Sequence, residues 1–180
     1  MEFEETSLER LIVIKPKIYR DQRGLFFESF NQEHFKTHDI PVFFAQDNQS
    51  LSNKNVLRGM HFQNPPHEQG KLVRVICGKV QDIVVDIRKS SKTYGSHFSI
   101  ELSGENNTMM WIPPGFAHGF LALEDNTIFS YKCTALYNRD AEDCILWNDP
   151  GLGLAWQCNN PILSEKDQNG KSFNSFHSLF

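Results

Sequence analysis

The chain has 180 residues, 39% of them hydrophobic and 12% aromatic, with 18 basic against 22 acidic side chains. That is enough apolar matter for one sizeable core, so a single domain over residues 1–180 is expected. The balance is mildly acidic with no basic block able to track a phosphate backbone, which excludes nucleic acid as a partner.

The segment Met1-Glu2-Phe3-Glu4-Glu5 has neither the basic nor the apolar section of a signal peptide, and no apolar run reaches about 18 residues. A cytoplasmic protein without membrane association is the expectation. Gly and Pro punctuate β-rich runs with no repeat, linker or low-complexity stretch. Strands are predicted at 11–14 and 25–30, a short helix at 30–37 from the spacing of Phe30, His34 and Phe35, and further strands at 43–49 and 56–62. Lys71-Leu-Val-Arg-Val-Ile76 and Val80-Gln-Asp-Ile-Val-Val-Asp-Ile87, joined by Cys77-Gly78-Lys79, predict a hairpin with Gly78 at the permissive turn position. Both arms are apolar on both faces, which points to a two-sheet jelly roll whose inner face lines a cavity. Strands follow at 96–101, 109–112, 118–122, 128–133 and 145–147, and the polar tail from Ser164 to Phe180 is expected to lie over the barrel with a short helix. Cys77, Cys133, Cys144 and Cys158 show no CxxC spacing, so reduced thiols are expected rather than a disulfide framework or a zinc knuckle.

Chemistry-bearing residues occur in four places. In Arg58-Gly-Met-His-Phe-Gln63, strand alternation puts Gly59, His61 and Gln63 on one face and Arg58, Met60 and Phe62 on the other. Taken alone, His61 reads as a structural histidine. The rigid loop Asn64-Pro-Pro-His-Glu-Gln-Gly70 delivers Lys71 to the start of an apolar strand, either snorkelling to solvent or fixed beside a developing oxyanion. Asp82 and Asp86 interrupt an apolar run and need partners; for Asp86 a bridge to Arg74 or Arg88 is expected. Pro113-x-Gly115-x-x-His118 resembles the second motif of cupins, in which that histidine often ligates metal. No His-x-His is present, so a metal site built on His61, His67 and His118 is incomplete by spacing.

Together, Arg58-Gly-Met-His-Phe-Gln63, Pro65-Pro-His-Glu-Gln-Gly-Lys-Leu-Val-Arg74, Trp111-Ile-Pro-Pro-Gly-Phe-Ala-His-Gly-Phe120, Ile145-Leu-Trp-Asn-Asp-Pro150 and Leu163-Ser-Glu-Lys-Asp167 resemble the dTDP-4-dehydrorhamnose 3,5-epimerase family over nearly the full chain. Met60 and Phe62 stand where that family often has Leu and Tyr, a change of packing only.

The resemblance implies an all-β cupin-type jelly-roll barrel of two antiparallel sheets, with a few short helices near the termini. It implies conversion of dTDP-4-dehydro-6-deoxy-D-glucose to dTDP-4-dehydro-6-deoxy-L-mannose in dTDP-L-rhamnose biosynthesis. The C4 ketone acidifies C3–H and C5–H, so the chemistry requires neither a redox cofactor nor a metal. By the same resemblance, His61 is the base, Asp167 its carboxylate partner, Lys71 the group that stabilises the enolate, and Tyr131 the acid acting from the opposite face. Arg23, Phe26, Glu28, Gln46, Asp47, Asn48, Arg58, Lys71, His118, Glu142 and Lys166 match substrate contacts, and Tyr137 the ring that stacks on thymine. The formal charge of −4 opposes an anionic ligand, so Arg23, Arg58 and Lys166 must supply local attraction.

A homodimer is implied, with Arg23 and Phe26 serving the partner's site. The competing readings are an epimerase acting at one carbon only, a 3,4-ketoisomerase on the same nucleotide sugar, a metal-dependent cupin dioxygenase and a non-catalytic sugar-nucleotide binder.

Overall fold

The computed structural model describes residues 1–180. Two antiparallel sheets face each other. The first, in spatial order, contains β1 (Glu2–Glu5), β2 (Ile12–Lys15), β10 (Met109–Ile112), β7 (Lys71–Cys77), β12 (Thr127–Cys133) and β5 (Gln46–Ser52). The second contains β13 (Glu142–Cys144), β6 (Leu57–Gln63), β11 (Phe116–Ala122), β8 (Lys79–Asp86) and β9 (His97–Ser103). A separate ribbon pairs β3 (Tyr19–Asp21) with β4 (Gly24–Phe26). The only helices are α1 (Gln32–Lys36), α2 (Glu165–Gln168) and a 3-10 turn at Phe173–Ser175. The all-β jelly roll expected from the sequence is the fold observed.

Period-two patterning sorts the side chains into three apolar layers. Between the sheets, Val73 and Val75 of β7, Val80 and Val84 of β8, Met110 and Ile112 of β10, and Phe116, Phe120 and Phe129 form the central core. The opposite parity of the same strands packs outward. Ile83, Val85 and Met60 meet Leu152, Trp156 and Phe176 of the C-terminal segment, while Met109, Trp111 and Leu72 meet Phe35 and Ile40 from α1 and its exit. Each side chain fully buried in these layers contributes about 1.5–3 kcal/mol. The tail lies over the barrel as expected.

The predicted hairpin across Gly78 does not form. Its first arm, β7, pairs with β10 and β12, and its second, β8, with β11 and β9. Gly78 is the corner at which the chain crosses from one sheet to the other. It adopts φ +78°, and a Cβ there would come within 2.4 Å of Thr127 Oγ1. β8 and the first part of β7 are buried on two faces because each strand belongs to a different sheet covered on its outer side, whereas Ile76 and Cys77 at the end of β7 are exposed.

The strand expected at 145–147 is displaced to Glu142–Cys144. Ile145 still exchanges backbone hydrogen bonds with Met60, and then bridges to Lys171, which ends the regular ladder. Residues 43–45 lie outside β5, with Phe44 turned onto Trp111. Likewise 27–30 leave β4, and Phe30 packs against Phe35. The acidic edge strand β1 and the short β3 are unanticipated, because Glu-rich or three-residue segments carry little apolar alternation.

Candidate active site

The site is built around an irregularity in β6. His61 pairs with His118 of β11, but Arg58 pairs with Phe120, so two residues of β6 oppose one of β11. This bulge reverses the parity of Arg58 relative to His61, and both line one cavity; strict alternation had separated them. It forms where two glycines cross. A Cβ on Gly59 would meet Gly119 Cα at 2.5 Å, and a Cβ on Gly119 would meet Gly59 Cα at 3.0 Å.

Asp167 is held by a capping box at the start of α2. The Ser164 hydroxyl donates to Oδ2 at 2.6 Å and accepts from the Asp167 N–H. The Gly59 N–H donates to Oδ1. His61 Nε2 sits 2.6 Å from that same oxygen, off the line of a straight ring N–H bond. Burial works to raise the Asp167 pKa and is outweighed by the adjacent His61 ring nitrogen and the Ser164 bond, which hold the carboxyl at about 2. Burial drives the His61 pKa down, and the charges of Lys166 and Lys71 add to this against the pull of Asp167. A neutral imidazole backed by an ionised carboxylate is a base.

Lys71, first in β7, directs Nζ toward the His61 carbonyl at 3.4 Å. Burial lowers its pKa. Tyr131 of β12 lies opposite Asn48 and Val73 in register, and burial raises its pKa, which keeps the phenol protonated. His61 therefore comes from one sheet and Tyr131 from the other.

Two adjoining cavities, of about 340 and 350 Å³, share His61, Lys71, Tyr131 and Glu142. The first also receives Arg58, His118, Lys166 and Asp167. The second also receives Gln46, Asn48 and Tyr137. Glu142 binds the Lys166 ammonium and accepts from the Tyr137 hydroxyl at 3.0 Å. His118 contacts both oxygens of buried Asp82 at 2.9 and 3.0 Å. Asp86 is structural as expected, bound twice by the Arg88 guanidinium, once by the Arg88 N–H, and once each by Ser91 and Thr93.

Four matched residues stay outside these cavities. Asp47 has the opposite parity to Gln46 and Asn48, is exposed, and pairs with Lys132. Arg23 and Phe26 lie exposed on the β3–β4 ribbon, where Arg23 pairs with Asp21. Glu28 accepts from Asn31. The three histidines of the metal reading are not brought together, since His67 lies exposed in the Pro-Pro loop.

The cavity also takes residues that sequence reasoning did not select. Ser164 lines it, Phe120 and Phe129 stack at 4.1 Å in its wall, and the buried Ser50 hydroxyl has no hydrogen-bond partner. The period-two relation of Ser50 to Gln46 and Asn48 was the available signal.

The sequence model of the family described as dTDP-4-dehydrorhamnose 3,5-epimerase matches residues 5–175. The dTDP-4-dehydrorhamnose 3,5-epimerase of Methanothermobacter thermautotrophicus is 49% identical over 172 residues, covering 94% of this chain and 92% of that protein. The Shigella flexneri enzyme of the same name is 47% identical over 170 residues, 94% of each chain. Among solved structures, the dTDP-6-deoxy-D-glucose-3,5-epimerase of Legionella pneumophila in complex with dTDP-4-keto-L-rhamnose superposes with a TM-score of 0.93 at 43% identity, over 98% of this chain and 94% of that one. A 3'-monoepimerase from Streptomyces bikiniensis in complex with dTDP-quinovose superposes at 0.88 with 32% identity, over 93% and 85%.

Proposed function

The chain belongs to the dTDP-4-dehydrorhamnose 3,5-epimerase family, and we propose that its own residues invert C5 and C3 of a dTDP-linked 4-keto-6-deoxy sugar as follows. The protein is an isomerase of dTDP-rhamnose biosynthesis. One observation carries the mechanism: His61 and Tyr131 enter one cavity from opposite sheets. Inversion at carbon needs a proton removed from one face and returned to the other.

His61 takes the proton at C5, releases it to solvent and then takes the proton at C3, and the imidazolium formed each time is stabilised by Asp167. The electron pair left on carbon delocalises onto the C4 oxygen, where the Lys71 ammonium meets it. Tyr131 returns a proton to C5 from the far face and regains one from solvent. Arg58 and Lys166 hold the diphosphate, His118 is kept oriented for the ligand by Asp82, and the exposed Tyr137 ring stacks on thymine at the rim. Gln46, Asn48 and Glu142 complete the polar lining.

The whole chain acts as one cupin-like unit and as a homodimer. Tyr19, Leu25 and Phe26, all exposed on the β3–β4 ribbon, support a subunit contact in which Arg23 and Phe26 reach the partner's site. The monoepimerase of similar fold makes action at one carbon the reading to separate. Incubating enzyme and 4-keto substrate in deuterated water, with C3 and C5 followed by NMR, does so. Label at both positions is expected; label at one would mark a monoepimerase, and at neither would sink the proposal.

A further inference from the structure

Cys144 stands beside the proposed base and takes no part in the proton transfers. It is the register partner of His61 across β13 and β6, is buried, and donates its thiol to the Ile145 carbonyl at 3.4 Å. The ligating atoms of His61, Cys144 and Asp167 all lie within 4.8 Å of one another. From this juxtaposition we propose that the three residues form a site for a thiophilic divalent cation such as Zn²⁺ or Cd²⁺, whose occupation reversibly switches off the base.

The donor set is one imidazole nitrogen, one sulfur and one carboxylate oxygen, the combination zinc takes in tetrahedral sites at about 2.0–2.3 Å. Ligand atoms around such an ion are spread over about 3–4 Å. His61 and Asp167 open slightly from their 2.6 Å contact, and Cys144 closes in. The three residues come from β6, β13 and α2, so the fold and not one flexible loop brings them together. Asp167 is oriented by the Ser164 hydroxyl and the Gly59 N–H, the kind of outer partner that steadies a ligating carboxylate. His61 and Asp167 both line the first cavity, from which an ion reaches them, while Cys144 is buried outside its lining.

Charge also closes. On binding, the Cys144 S–H bond breaks, its proton leaves to solvent, and the sulfur pair forms the metal–sulfur bond with no change of oxidation state. A divalent ion with one thiolate, one carboxylate and a neutral imidazole is neutral overall, which suits a poorly hydrated position. Mg²⁺ and Ca²⁺ prefer all-oxygen shells and are excluded by the sulfur. With Nε2 held by the ion, the neutral imidazole carries its proton on Nδ1 and cannot accept one from the sugar, so turnover stops until the ion leaves.

The site itself stands on geometry; its inhibitory consequence rests on the reading of His61 as base. The test uses chelator-stripped full-length protein titrated with Cd²⁺ without substrate, following the ultraviolet thiolate-to-cadmium absorption. In parallel, deuterium exchange is assayed with Zn²⁺, Cd²⁺ and Mg²⁺. Wild type is expected to show the absorption and lose turnover with Zn²⁺ and Cd²⁺ but not with Mg²⁺. Cys144→Ala is expected to keep its turnover, lose that part of the absorption, and need at least about tenfold more Zn²⁺ for the same inhibition. Cys144→Ser, which preserves volume, serves if the alanine variant does not fold.

Equal Zn²⁺ sensitivity in the variant, an absorption unchanged by removing Cys144, or no effect of either ion on wild type overturns the proposal. Loss of absorption in Cys144→Ala from a protein without turnover would instead sink the epimerase mechanism and leave the metal site standing.

Discussion

At the scale of single residues, the division of labour follows from opposite pKa shifts in one cavity. Burial lowers His61 and Lys71 and raises Tyr131. On the proposed mechanism the active form has neutral His61, charged Lys71 and protonated Tyr131. As pH falls, activity is lost through the His61 pKa, which lies below the ordinary 6.5, so the acid limb of kcat/KM sits on the acid side of that value. As pH rises, the Lys71 ammonium is lost below its ordinary 10.5, and the Tyr131 phenol ionises above its ordinary 10. Lys71→Arg keeps its charge to higher pH, so its surviving activity should show the alkaline limb displaced upward. A pH–rate series on both proteins checks this. His61→Ala should lower isotope exchange at both carbons by about 10²–10⁴-fold. Tyr131→Phe should slow inversion more than exchange, because the base still removes the proton; equal losses would contradict its role as acid.

At the scale of elements, the site depends on two local devices. The first is the Gly59–Gly119 crossing that permits the β6 bulge and turns Arg58 toward the cavity. In Gly119→Ala the new methyl would meet Met60 Sδ at 2.8 Å and the Arg58 carbonyl at 3.0 Å. We expect a loss of about 1–3 kcal/mol in urea unfolding, with a rise in KM as Arg58 shifts. The second device is the α2 capping box, which binds Asp167 through Ser164. Ser164→Ala should cost about 1 kcal/mol. The folded pKa of Asp167, about 2, lies below the unfolded value. Its contribution is therefore present above pH ~4 and lost as pH falls toward 2. Acid titration of unfolding free energy should show this slope in wild type and its absence in Asp167→Asn.

At the scale of the whole molecule, the barrel is closed from outside by its own ends. Phe176 packs edge-on against Phe62 at 5.3 Å, with Phe180 beyond it. Phe176→Ala should lower stability by about 3 kcal/mol and the thermal midpoint with it. No helix is long and apolar enough to cross a membrane. Light scattering should give twice the monomer mass, and Phe26→Ala should loosen that assembly. A monomeric species with full activity would count against the shared site.

The amino-acid sequence by itself determined the β class, most strand positions, the covering role of the tail and the need of Asp86 for an arginine partner, and its motifs pointed to His61, Lys71, Tyr131 and Asp167. These are local signals, carried by two-residue alternation and by short ordered motifs. It did not determine which strands pair. β7 and β8 read as a hairpin because both are apolar on each face, and two-sided burial erases the alternation that tells inside from outside. Only the tertiary structure decided that Gly78 is a corner between sheets. Only it decided that a bulge sets Arg58 beside His61, that Asp47 faces solvent, and that Ser50 and Cys144 stand against the reacting groups. The reason is physical: those positions follow from register between strands far apart in sequence, and a slip of one residue exchanges the two faces of a strand.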